Sequence, residues 1–223
     1  MSAAPISIVP IFATPFAVVP LVAAEKLNPA LAALLAARAA ASVSNKAAGS
    51  NPLCFRGADD LLEWPEDPVR VLGTEMLRGV STVMAAVNTL TQEQLQSLTL
   101  QARAWFTLVH KDGCIPASSH PMTSWCGIYC VESPTPAADR QDSGVLRLYE
   151  SRLGTMFSDA TNSAMRVPFA AGHYTWRPVP GQLAVFPAFM THEIALIRGT
   201  GRLILVTVRV RYVGAGQKGV PRW

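Results

Sequence analysis

Four histidines, His110, His120, His173 and His192, occur in a chain of 223 residues, and two of them stand where chemistry is possible. His192 closes the stretch PGQLAVFPAFMTHEI, in which an apolar run suited to a core stops at an imidazole beside an acid. His120 ends a loop, KDGCIPASSHP, just before SWCGIYCV, a run rich in aromatic and β-branched residues. Isolated histidines are more commonly structural or surface residues. A neutral imidazole is nevertheless a natural ligand for iron, and two of them with an acid form the facial triad that leaves three metal positions open. Arg202 stands at the head of a second apolar run, LILVTV. A guanidinium placed there is either an exposed hairpin-end residue or a bidentate clamp on a ligand carboxylate, because burying it without an anion is costly.

These residues need a scaffold. The chain is 50% hydrophobic and 15% charged, which suits a single folded domain with a substantial core. Its net charge of +4 is concentrated near the end, in Arg198, Arg202, Arg209, Arg211, Lys218 and Arg222. No block of like charges and no aromatic-interleaved basic stripe appears, so a nucleic-acid partner is not expected; an anionic small molecule fits the mild basicity. Cys54, Cys114, Cys126 and Cys130 are too few for a secreted disulfide scaffold and read as reduced thiols in a cytoplasmic chain. Cys126 and Cys130 share one face of an expected strand about 13 Å apart, too distant to hold one metal between them, and read as core residues. Prolines at 5, 10, 15 and 20 break the uncharged first 24 residues, so neither a membrane span nor an export signal is expected. Strand pieces fall instead on ISIV and FAVVPLV.

Helical patterns come first. One follows Asn28, which suits a cap with Pro29 in the first turn; a second covers about 68–88; a third starts behind Thr91 in TQEQLQSLTLQAR. From about Ala104 the character changes to short strands between Gly/Pro turns: AWFTLVH, SWCGIYCV, VLRLYES, HYTWRPV, QLAVFPAF, HEIALIR and RLILVTVRVRYV. The irregular stretch 153–173 has the length of a site loop or lid. Helices followed by strands imply an α+β, mainly β domain, with N-terminal helices buttressing an antiparallel barrel or sandwich. The division is an N-terminal part at 1–103, a β core at 104–213 and a tail at 214–223. Trp105, Trp125 and Trp176 read as core residues.

HPMTSWCGIYC, PGQLAVFPAFMTHEI and GRLILVTV together resemble the 2-oxoglutarate/Fe(II)-dependent oxygenases of double-stranded β-helix (jelly-roll) fold. IFATPF, KLNPALAALLAAR and AWFTLVHKDG add to the resemblance, and the spacing from Phe186-Pro187 to His192 to Arg202 is its most specific part. It implies Fe(II) and 2-oxoglutarate as cofactor and cosubstrate, with hydroxylation of an unactivated C–H in a small-molecule substrate. Residue by residue, it makes His192 the distal iron ligand, His120 the second histidine of an H-x-H pair, Arg202 the anchor for the distal carboxylate of 2-oxoglutarate, and Tyr129 the first tyrosine of a family pair whose second is replaced by Cys130. Ser118 stands where the first histidine of H-x-H is expected. Glu132, Asp142, Glu150 and Glu193 are the candidate carboxylates for a third-ligand role, with no spacing rule to select one, and Glu193 should point away from His192. The Ser118 departure keeps two rivals open: a jelly-roll binding protein that has lost its metal, and a cupin-like metalloenzyme that uses no 2-oxoglutarate. A homodimer through the helices is compatible with the pattern.

Overall fold

The stretch LILVTVRVRYV is apolar at almost every position of its first half because both of its faces are covered. In the computed structural model this is β12 (Leu203–Val213), an eleven-residue inner strand of a six-stranded antiparallel sheet. The structure describes residues 10, 12–22, 24–43, 53–150, 165–166, 169–170 and 172–214. The large sheet also contains β1 (Ala17–Pro20), β2 (Cys54–Arg56), β3 (Thr99–Val109), β5 (Trp125–Glu132) and β9 (Gln182–Pro187), in the order β1-β9-β5-β12-β3-β2. A four-stranded sheet lies opposite, ordered β4-β10-β7-β8: β4 is Ile115–Ser118, β7 Leu146–Tyr149, β8 His173–Trp176 and β10 His192–Ile194. A short pair, β6 (Thr135–Pro136) and β11 (Gly199–Thr200), ties a corner. Among the described residues no strand pairing closes the two sheets into a barrel, so the expected jelly roll is open-edged.

Strand alternation sorts the core into two compartments. Cys126, Ile128, Cys130, Ala184, Phe186, Leu203 and Leu205 point between the sheets, where Leu146, Leu148 and Ile194 of the small sheet meet them. Tyr129, Val131, Leu183, Val185, Ile204, Val206 and Val208 point the other way, onto the helices. The helix layer is α1 (Ala24–Val43) and α2 (Asp67–Ala86). Leu31, Leu35 and Ala39 form the buried stripe of α1, and Val69, Leu72, Met76, Val80 and Val83 that of α2, both at helical spacing. Gly127 lets α2 sit close: a Cβ there would lie 3.0 Å from Val208, 3.1 Å from Val80 and 3.2 Å from Leu183.

Several boundaries differ from the sequence expectation. The first helix begins at Ala24, so Pro29 lies inside it and Asn28 does not cap it. Asn28 instead accepts a 2.7 Å hydrogen bond from the buried Tyr129 hydroxyl. Thr91 does cap α3 (Gln92–Gln96), in a reciprocal pair with Gln94, but that helix ends after five residues. The following residues pair with β12 and make β3 begin at Thr99, five residues ahead of the expected change at Ala104. The loop assigned to KDGCIPASSHP contains β4, which its pairing with β10 makes a strand. The ISIV strand and most of the 153–173 loop lie outside the described residues.

Candidate metal centre

One end of the inter-sheet space collects three donor side chains. His192 opens β10 and is nearly buried, opposite Ser118 of β4 on one side and Leu148 of β7 on the other. His120 sits on the turn after β4, which its own backbone fixes. Its N–H donates to the Ala188 carbonyl at 2.8 Å, and its carbonyl accepts from the Thr123 N–H at 3.1 Å and the Thr123 hydroxyl at 2.9 Å. Cys126, fully buried on β5, faces the same space from the large sheet, opposite Phe186 and Arg209. One ligand atom from each of His120, Cys126 and His192 lies within 4.8 Å of the others. The two imidazole centroids are 5.5 Å apart with planes at 65°.

Packing holds the rings. Phe186 meets His192 edge to face at 5.1 Å, and Trp105 meets His120 at 5.3 Å. The Nδ1 of His192 is 2.9 Å from the Met190 carbonyl, which can only accept; Nδ1 therefore carries the proton and Nε2 keeps its lone pair. Burial lowers the pKa of His192, with the Met190 bond opposing it. Burial also holds His120 down at about 4, helped by His192, Arg209 and Arg56 and opposed by Asp59. Both imidazoles are thus neutral near pH 7, the form that binds metals. Burial pushes the Cys126 thiol well up. Beside them Arg56 and Arg209 stack on Trp105, their guanidinium carbons 4.3 and 5.6 Å from the ring. Both also engage Asp59, Arg209 at 2.7 Å.

The structure brings His120 and His192 together but places Arg202 and Tyr129 elsewhere. Arg202 grips Glu132 in bidentate fashion, Nε to both carboxylate oxygens at 3.1 Å and Nη2 to Oε2 at 3.0 Å. Leu203, the next residue, faces the inter-sheet space, whereas Arg209 stands opposite Cys126; six strand residues separate those levels by about 20 Å. The Arg202 expectation rested on its place at the head of an apolar run and on its spacing from His192, neither of which says which way a side chain points. Tyr129 alternates with Cys126, Ile128 and Cys130 and so faces the helices, bonded to Asn28. The candidate carboxylates are engaged away from the cluster: Glu132 by Arg202, and Asp142 and Glu193 by Arg147, each at 3.0 Å. Glu150, at the end of β7, donates its backbone N–H to the Gly172 carbonyl at 2.9 Å, and no carboxylate joins the three-residue cluster among the described residues. The sequence reading set Cys126 in the core; the signal for its neighbourhood was its place as the first inward position of the strand that follows His120.

No protein-family model matches the chain, and no curated protein matches it. Solved structures do. A prolyl-4-hydroxylase from Pseudomonas putida superposes with a TM-score of 0.55 at 13% identity, over 89% of this chain and 93% of that one. A prolyl hydroxylase from Trichoplax adhaerens, solved with a peptide of hypoxia inducible factor, gives 0.54 at 11%, over 88% and 83%. The non-heme α-ketoglutarate-dependent carbocyclase SnoK of nogalamycin biosynthesis gives 0.55 at 12%, over 90% and 79%. The chain has the fold of the 2-oxoglutarate/Fe(II) oxygenases. Within that oxygenase fold its H-x-H position reads Ser118-Ser119-His120, with Ser118 exposed beside His192. Two neutral imidazoles and a thiol at one point suit a divalent transition metal, iron included, with sulfur in place of the carboxylate of a facial triad. Among the described residues, no helix is long and apolar enough to cross a membrane.

Proposed function

We propose that this protein is a 2-oxoglutarate- and Fe(II)-dependent oxygenase that hydroxylates an unactivated C–H of a small molecule. The observation that carries this reading is the convergence of His120 and His192, remote in sequence, between the two sheets of an oxygenase fold. Bound iron with 2-oxoglutarate supplies the oxidising chemistry. The chain holds the metal through the two imidazoles, keeps the His192 tautomer through Met190, and excludes water with Phe186 and Trp105. Arg56 and Arg209 both reach Asp59 on the flank of the site, and guanidinium groups placed there suit the recognition of a carboxylate. Arg209 is the anchor we assign to a 2-oxoglutarate carboxylate, in place of Arg202.

The test is anaerobic reconstitution with Fe(II), followed by measurement of oxygen uptake and succinate formation with and without 2-oxoglutarate. The reading expects succinate that requires both iron and 2-oxoglutarate and disappears in His192→Ala. It expects Arg209→Ala, and not Arg202→Ala, to weaken 2-oxoglutarate binding. A second reading, a metalloenzyme of this fold that uses no 2-oxoglutarate, is favoured by the engagement of Arg202 with Glu132. Oxygen uptake indifferent to 2-oxoglutarate would select it. Absence of any chelator-sensitive metal would reject both.

A further inference from the structure

We infer that Cys126 is a metal ligand, so that the centre is a His2Cys site closed by a thiolate from the large sheet. This rests on the reading that His120 and His192 hold a metal. The three donors come from three elements on two sides of the inter-sheet space: β5 in the large sheet, β10 in the small one and the turn after β4. Their ligand atoms lie within 4.8 Å of one another. A tetrahedral ion with Zn–S near 2.3 Å and Zn–N near 2.0–2.1 Å needs sulfur-to-nitrogen separations of about 3.6 Å, so the set closes on an ion by side-chain movement of about 1 Å.

Three features separate Cys126 from an inert core cysteine. Cys130 shares its face and is as buried, yet it lies opposite Leu205 and does not join the cluster among the described residues. The carboxylates that a facial triad would use are held elsewhere: Glu132 by Arg202, and Asp142 and Glu193 by Arg147. His192 already has the outer hydrogen bond, to Met190, that orients a ligating imidazole. Binding replaces the S–H bond with a sulfur–metal bond, and the proton leaves to solvent, one per ion. Exchanging a carboxylate for a thiolate softens the site, so it should prefer Zn2+, Co2+ and copper to Mn2+ or Mg2+.

Cobalt reports this directly. Co2+ is titrated into the metal-free full-length protein under reducing, anaerobic conditions and followed through its visible ligand-field bands and the near-ultraviolet thiolate-to-cobalt charge-transfer band. The expected result is one equivalent bound with both features. Cys126→Ser should lose the charge-transfer band, keep the visible bands and bind Co2+ at least ~10-fold more weakly, while Cys130→Ser should change neither feature. Should Cys126→Ser fail to fold, X-ray absorption of the Zn2+-loaded wild-type protein decides, with one sulfur at about 2.3 Å expected. Bound metal without a charge-transfer band or a sulfur neighbour overturns the Cys126 assignment and leaves the two-histidine reading intact. Failure to retain any metal overturns both.

Discussion

Arg209, midway along β12, and Arg202, just ahead of its first residue, stand in different surroundings. Arg209 faces the inter-sheet space beside Trp105, Cys126 and the two imidazoles, with Asp59 shared between it and Arg56. Arg202 is turned aside and locked to Glu132, both side chains about one-third exposed. Around Arg209 neutral donor atoms gather at a point; around Arg202 two opposite charges cancel on a rim. The same residue type, seven positions apart along the chain, stands beside the donor cluster or in a rim ion pair according to the direction it faces.

Four substitutions test this contrast. The largest effect is expected from His192→Ala at the donor cluster: metal binding, measured by titration calorimetry with Zn2+, should fall more than ~100-fold, since even outer-shell partners of a ligand are worth 10–100-fold. Retained tight binding would place the metal elsewhere. Next, Leu205→Ala, between the sheets and below the donors, should cost about 2–5 kcal/mol in denaturant unfolding, because it leaves a cavity in close-packed surroundings.

Tyr129→Phe, on the helix side, should leave metal binding unchanged and cost about 1 kcal/mol by stranding Asn28. It also carries a pH signature. Burial pushes the Tyr129 phenol up to about 12, against an ordinary value of ~10. The unfolded chain therefore loses this proton first, and the stability contribution is intact below about pH 10 and drains away as pH rises to about 12. Tyr129→Phe should flatten that alkaline slope in thermal or urea melts. The smallest effect is expected from Arg202→Ala, at most about 1 kcal/mol for a partly exposed pair. A loss of several kcal/mol there would make the rim pair a structural keystone and erase the contrast.

Much of the fold could be read in advance because periodicity is a local property. The aromatic and β-branched run in SWCGIYCV, the apolar run in β12 and the Thr91 cap all appear where their residues demand. Other features were hidden because neighbours far along the chain create them. The start of β3 at Thr99 is imposed by pairing with Val213, and α1 extends upstream of Asn28 to Ala24. At the site, His120 and His192 were visible as imidazoles at strand ends. Cys126 was not, because its meaning depends on the small sheet delivering two histidines against it. The pairing of Arg202 with Glu132 was not legible, because a spacing along the chain holds no information on strand parity. The Ser118 departure, by contrast, was legible from the string alone and coincides with an exposed serine beside His192.

Trp105 gives the site a native optical sensor. Its indole touches His120 edge-on and lies beneath the guanidinium groups of Arg56 and Arg209. An ion with unpaired electrons captured a few ångströms away should quench this fluorophore, so occupancy could be followed by emission without labelling the protein.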